Sequence, residues 1–166
     1  MSIPSKQSLA SFLLIFSMQV SHGTRSTVCS AEDQILGDWL SLEKNVVVNI
    51  SKEGRAFKAT VMWFTDKDII SRPMESRCDS HNPNPQLRKR KLLGMEILSG
   101  LNYNPSSGRW EDGLIYDPLS GRDWSSVVSL ERDGILKVKG YWHFEFLSKS
   151  VSFKRIVFNR QKKDFR

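Results

Sequence analysis

Cys78, Asp79 and His81 place three metal-ligating side-chain types within four residues. A closed zinc site needs four ligands, and only Cys29 is an obvious recruit; a disulfide would consume both thiols, so no metal is expected. A second acidic cluster, Glu111, Asp112 and Asp117 around Tyr116, has the composition of a general acid–base pair. Strand alternation puts Asp112 and Tyr116 on one face and Glu111 and Asp117 on the other, which separates the carboxylates. Asp117 before Pro118 reads as the first residue of a turn, its carboxylate accepting backbone hydrogen bonds, with Gly121 closing it. Glu96, between Leu93 and Leu98, must be paired or neutralised if it faces inward. His22, His81 and His143 are the three histidines. With no Gly-x-Ser-x-Gly elbow and no glycine-rich phosphate loop, neither a catalytic residue nor a cofactor is expected. Aromatic side chains are the remaining chemical resource. A subset lining an open cavity would make an apolar pocket with a few polar tips. The candidate ligand-binding residues are Phe57, Trp63, Glu96, Leu98, Asp112, Tyr116 and Trp124.

Those side chains must be positioned by strands, because the chain alternates polar and apolar residues in short runs separated by turn signals. Leu36–Leu42 and Asn45–Ser51 form a first hairpin, with Val46, Val48 and Ile50 on one face. In Arg55–Phe64, Phe57, Ala59, Val61 and Trp63 alternate against Lys58, Thr60 and Met62. Residues 66–86 break the pattern with Pro73, Pro83 and Pro85; a loop so long within a compact domain is usually functional. Leu92–Leu101, Arg109–Tyr116, Arg122–Glu131, Ile135–Tyr141 and Ser150–Phe158 follow, with Asp133-Gly134 the clearest hairpin turn. About eight sequential antiparallel strands fit a closed up-and-down β-barrel, which leaves no edge strand exposed. A β-sandwich is the alternative.

Lys6 is the only charged residue before Arg25, and an apolar run covers Leu9–Val20. About twelve residues are too few to span a roughly 30 Å hydrocarbon core as a helix, so residues 1–23 are expected to be a signal peptide and no transmembrane segment is expected after its cleavage. The expected organisation is signal peptide 1–23, N-terminal arm 24–34, barrel 35–158 and basic tail 159–166. Export implies a secreted or bacterial periplasmic protein, where Cys29 and Cys78 would be expected to pair; closing a loop of about fifty residues would stabilise by roughly 4 kcal/mol. The formal charge is +7 and cleavage would remove only Lys6, so the mature chain stays basic. Arg88-Lys89-Arg90-Lys91 and the stretch from Lys149 to Arg166 hold much of that charge. In an exported protein this favours anionic envelope surfaces over nucleic acid.

Several blocks resemble an exported bacterial family catalogued as domain of unknown function 2147, which is regarded as lipocalin-like. They are Gly37-Asp38-Trp39; Asn82-Pro83 with Leu87-Arg88 and Leu92–Leu98; Trp110-Glu111-Asp112-Gly113-Leu114-Ile115-Tyr116-Asp117-Pro118 with Gly121; and Leu136–Tyr141. The chain departs from the family where Trp124 stands for the usual Tyr and Phe153 for the usual Trp, and His143 lies in a stretch normally richer in glycine. Resemblance to lipocalin-like barrels implies that Gly37 and Trp39 open the first strand and that Arg155, on the last, lies across the indole. It implies no reaction. The expected function is a binding module for a small apolar or amphipathic ligand, without catalysis. The alternative is a filled barrel that docks on anionic lipid, glycan or protein through its basic surfaces.

Overall fold

The computed structural model describes residues 30–141 and 148–157. The predicted signal peptide, Cys29, His143 and the basic tail lie outside the described residues. Eight strands follow one another: β1 (Gly37–Ser41), β2 (Val46–Glu53), β3 (Ala56–Phe64), β4 (Glu96–Asn104), β5 (Arg109–Asp117), β6 (Arg122–Leu130), β7 (Leu136–Tyr141) and β8 (Ser148–Ile156). Each pairs antiparallel with the next, and β8 returns to β1 with Arg155 opposite Trp39. The result is the closed up-and-down barrel expected from the alternation, not a sandwich. Among the described residues no helix is long and apolar enough to cross a membrane.

The short connections follow local turn chemistry. Gly54, Gly108, Gly121 and Gly134 all adopt positive φ, which glycine reaches without steric cost. Among the described residues the long connection joins β3 to β4 and spans 65–95, several residues beyond the predicted loop, because Leu92–Met95 are held by backbone bonds to Arg77 and to Val61 of β3 before β4 begins.

Irregularities decide which side chains enter the barrel. Val47 pairs with Trp63 but Val48 with Val61, so β3 carries one extra residue at Met62. A bulge of one residue reverses the facing of everything beyond it. Phe57, Ala59 and Val61 point inward as alternation requires, whereas beyond the bulge Phe64 takes the inward place assigned to Trp63. A second bulge lies between Trp110 and Gly113 of β5, where Asp112 has φ of 63°.

The half of the barrel nearest the chain start is packed solid. Trp39, Phe57, Leu101, Trp110, Val128 and Leu136 are almost fully buried there. A 3-10 turn, Ala31–Ile35, plugs this end. Its carbonyls accept from both indoles: Trp39 Nε1 donates to Ile35 O at 2.8 Å and Trp110 Nε1 to Glu32 O at 3.0 Å. Lys52 clamps the plug through Glu32 (2.9 Å) and Asp33 (3.0 Å). The Arg155 guanidinium lies 4.3 Å from the Trp39 ring and donates to the carbonyls of Gln34 and Leu36. Gly37 has φ of 113°, and a Cβ there would sit 3.1 Å from Arg155 Nη1. That close approach, together with the backbone angle, is why glycine precedes the tryptophan by two residues.

Candidate functional site

The opposite end is not filled. A cavity of about 850 Å³ opens between the 65–95 loop, the Leu42–Asn45 turn and the β5–β6 turn. Its wall is apolar, with Val61, Phe64, Met95, Ile115, Trp124 and Val138 among the lining residues, and its rim carries Arg72, Arg77, Ser80, His81 and Lys149. The alternative of a wholly filled barrel is therefore not met: the strands are longer than the stack of large side chains that fills them, and small residues such as Gly140 line the upper half.

Of the candidate ligand-binding residues, Tyr116 and Trp124 line this cavity. Phe57 and Leu98 belong to the solid core beneath it. Trp63 is turned away by the Met62 bulge. Glu96 is exposed, with its carboxylate 3.7 Å from Lys58 Nζ. Asp112 is exposed at the β5 bulge and does not line the cavity. Phe64, Ile97 and Ile115 were missed because strict alternation cannot locate the register shifts along β3, β4 and β5 that set their facing, whereas Val138 lies on the regularly paired β7 and was not singled out.

A buried polar cluster secures the loop beside the cavity. Asp79 is fully buried. Its carboxylate accepts from Tyr116 Oη (2.7 Å), Asn82 Nδ2 (2.7 Å) and Arg90 Nη2 (2.9 Å). Asn82 also donates to Tyr116 Oη at 3.0 Å, and Arg88 Nε donates to Asn82 O at 2.8 Å. Burial alone would raise the Asp79 carboxyl, but the hydrogen bonds from Asn82, Tyr116 and Arg90 outweigh it and hold the group below its ordinary range. Burial, reinforced by the Asp79 charge, pushes the Tyr116 phenol up to about 12. Arg88 and Arg90 are thus anchored members of the cluster, not free surface charges. The β5–β6 turn locks against the same loop. Asp117 caps that turn through Leu119 N (2.9 Å) and Ser120 Oγ (2.7 Å), Pro118 follows it on the cavity wall, and Gly121 has φ of 68°. A Cβ on Gly121 would overlap the His81 carbonyl.

The Asn82-Pro83 block and the block ending in Tyr116-Asp117-Pro118 with Gly121 therefore meet in space. A family model described as "Uncharacterized protein conserved in bacteria (DUF2147)" matches residues 37–155. The chain belongs to this family. Among solved structures it is similar to protein HP1028 of Helicobacter pylori, described as belonging to the lipocalin family: TM-score 0.60 and 23% identity, covering 74% of this chain and 82% of the other. That likeness establishes the lipocalin fold. Among curated proteins none matches the chain.

No group of three or more His, Cys, Asp or Glu side chains among the described residues could hold a metal ion; Asp79 of the Cys-Asp-Ser-His run is taken up by the cluster above. Arg77 lies in the cavity wall, paired with Asp66, and its buried Nε has no hydrogen-bond partner. Cys78 also lines the cavity and is a free thiol, its Sγ 3.5 Å from Ser76 O. Its expected partner, Cys29, lies outside the described residues.

Proposed function

We propose that this protein is an exported binding module that holds a small amphipathic molecule, such as a fatty acyl chain, in the open half of its barrel. The observation that carries the reading is the cavity of about 850 Å³ with an apolar wall and a charged rim. Ligand sites of this kind typically occupy about 300–1,000 Å³ and combine apolar walls with a few polar groups that fix orientation. An acyl chain would lie against Val61, Phe64, Ile115 and Trp124. A carboxylate head would meet the positive charge of Arg77 and Lys149 at the rim. Export rests on the amino-terminal apolar run, and no catalytic step is part of this reading.

Native mass spectrometry of protein purified from its host should find a co-purifying small molecule, and titration with a fluorescent fatty acid should saturate at one per chain. The discriminating variant is Gly140→Leu. A Cβ at Gly140 would make ordinary contacts with Trp124 Cβ (3.7 Å) and Ile115 Cδ1 (3.9 Å), so a larger side chain grows into the cavity. It should lower fatty-acid affinity about tenfold or more while leaving the melting temperature at or above that of the parent. Unchanged affinity would place the ligand elsewhere and end the proposal. Attachment to anionic envelope surfaces is a second reading, favoured by the position of Lys89 and Lys91 on the loop that borders the cavity.

A further inference from the structure

Four of the seven large apolar side chains that stand in solvent among the described residues, Leu42, Ile70, Leu87 and Leu119, lie in connections at the open end, and Ile70 and Leu119 are the most exposed of these four, at 93% and 79%; Leu114 and Val151 lie on strands, and Val157 follows β8. They flank the mouth: Leu119 lines the cavity, and Ile70 lies between Asp68 and Arg72, which also line it. Charge is concentrated beside them. In the 65–95 loop the acids are largely neutralised in place, Asp66 by Arg77, Asp68 by Arg72 and Asp79 by Arg90. Exposed Lys67, Lys89 and Lys91 stand on the loop, and Lys44 stands beside Glu43 on the neighbouring turn. At the closed end Lys52 is paired with Glu32 and Asp33, and Lys58 with Glu53 and Glu96, while Arg55, Arg109 and Arg132 stand exposed in or beside its turns.

We infer that the open end docks on an anionic lipid bilayer, Ile70 and Leu119 entering its interfacial layer while Lys67, Lys89 and Lys91 rest on the headgroups. Apolar tips ringed by cations match such a surface on both counts. Burial of aliphatic side chains supplies attachment, and each Lys near an anionic surface adds about fivefold in affinity, acting within a Debye length of about 8 Å. Docked in this way, the cavity mouth faces the lipid. An acyl ligand then passes between bilayer and barrel without crossing water. This last step rests on the ligand reading above, whereas docking itself does not.

The test uses the mature chain with vesicles of phosphatidylcholine alone or with about one-third phosphatidylglycerol. Binding is expected to the anionic vesicles only and to fall steeply with salt. Ile70→Ser with Leu119→Ser should weaken it about tenfold, and Lys67→Glu with Lys89→Glu and Lys91→Glu more than a hundredfold. All five positions are exposed, so melting temperatures should match the parent. Transfer of a fluorescent fatty acid from protein to anionic vesicles should accelerate with vesicle concentration and be slowed by the Lys67→Glu, Lys89→Glu, Lys91→Glu variant, none of whose positions lines the cavity, with its affinity for the fatty acid unchanged. Vesicle binding with no fatty-acid binding would leave docking standing and overturn the ligand reading. No vesicle binding at low salt, or equal binding by both variants and parent, would overturn docking, as would capture of a protein partner by the same tips without any lipid binding.

Discussion

The two ends of this barrel are built from the same strands yet solve opposite problems. At the closed end, Trp39, Trp110 and Phe57 fill the interior, and a 3-10 turn supplies carbonyls for both indole N–H groups. At the open end the strands continue past the last large core side chain, and a long loop folds beside the opening instead of into it. Its buried acid, Asp79, secures it through hydrogen bonds, beside the buried Met74 and Met95. The closed end is thus held by burial and close packing, whose loss is felt by the whole domain. The open end is held by a polar cluster, whose loss should free one loop and leave the barrel intact.

Trp39→Ala is the most severe way to test that contrast. It should cost about 3–5 kcal/mol by leaving a cavity beneath the plug, which for a domain of this size lowers the melting temperature by roughly 10 °C or more. A variant melting with the parent would show that the plug does not carry the fold. Asp79→Asn should cost less, about 2 kcal/mol, because Arg90 is partly exposed and can return to water. Its signature is local: trypsin should cut at Arg88–Lys91 about tenfold faster while the barrel transition moves little. Gly121→Ala should reproduce this from the other side of the contact with His81.

Acidity should separate the ends in the same manner. The folded Asp79 carboxyl lies below its unfolded value of about 3.9, so its contribution is complete above that value and is lost as pH falls through the folded one. The Tyr116 phenol, raised from 10.0 to about 12, contributes fully below 10 and loses its contribution as pH rises toward 12. Protease sensitivity of the 78–91 segment should therefore rise at both extremes, and one tyrosine should ionise late by ultraviolet absorbance, a feature absent from Tyr116→Phe. Early ionisation of all tyrosines would contradict the cluster.

Smaller still is the effect of Ser126, a fully buried residue whose hydroxyl has no hydrogen-bond partner. Ser126→Ala should raise stability by about 1 kcal/mol, measured by denaturant melting, because the alanine leaves no unsatisfied group.

Strand positions, turn glycines and the order of pairing were legible in the chain because each depends on neighbours within a few residues. Alternation from Val46 to Val61 and the Asp133-Gly134 turn are cases in point, and the Gly37-Asp38-Trp39 block announced the closed end with its partner Arg155. The candidate site was legible only in Tyr116 and Trp124. Single-residue bulges at Met62 and near Asp112 exchange inward for outward along β3 and β5, and nothing local to those residues records them. Likewise Asp79, Asn82, Arg90 and Tyr116 read separately as a metal run, a motif, a surface charge and an acid–base candidate. Folding makes them one cluster, because a buried carboxylate must find donors wherever the chain can bring them. The sequence by itself determined an eight-stranded antiparallel barrel of the DUF2147 family. Whether that barrel is filled or half empty was decided by tertiary structure alone, since the space inside is the difference between strand length and the volume of side chains that the bulges turn inward.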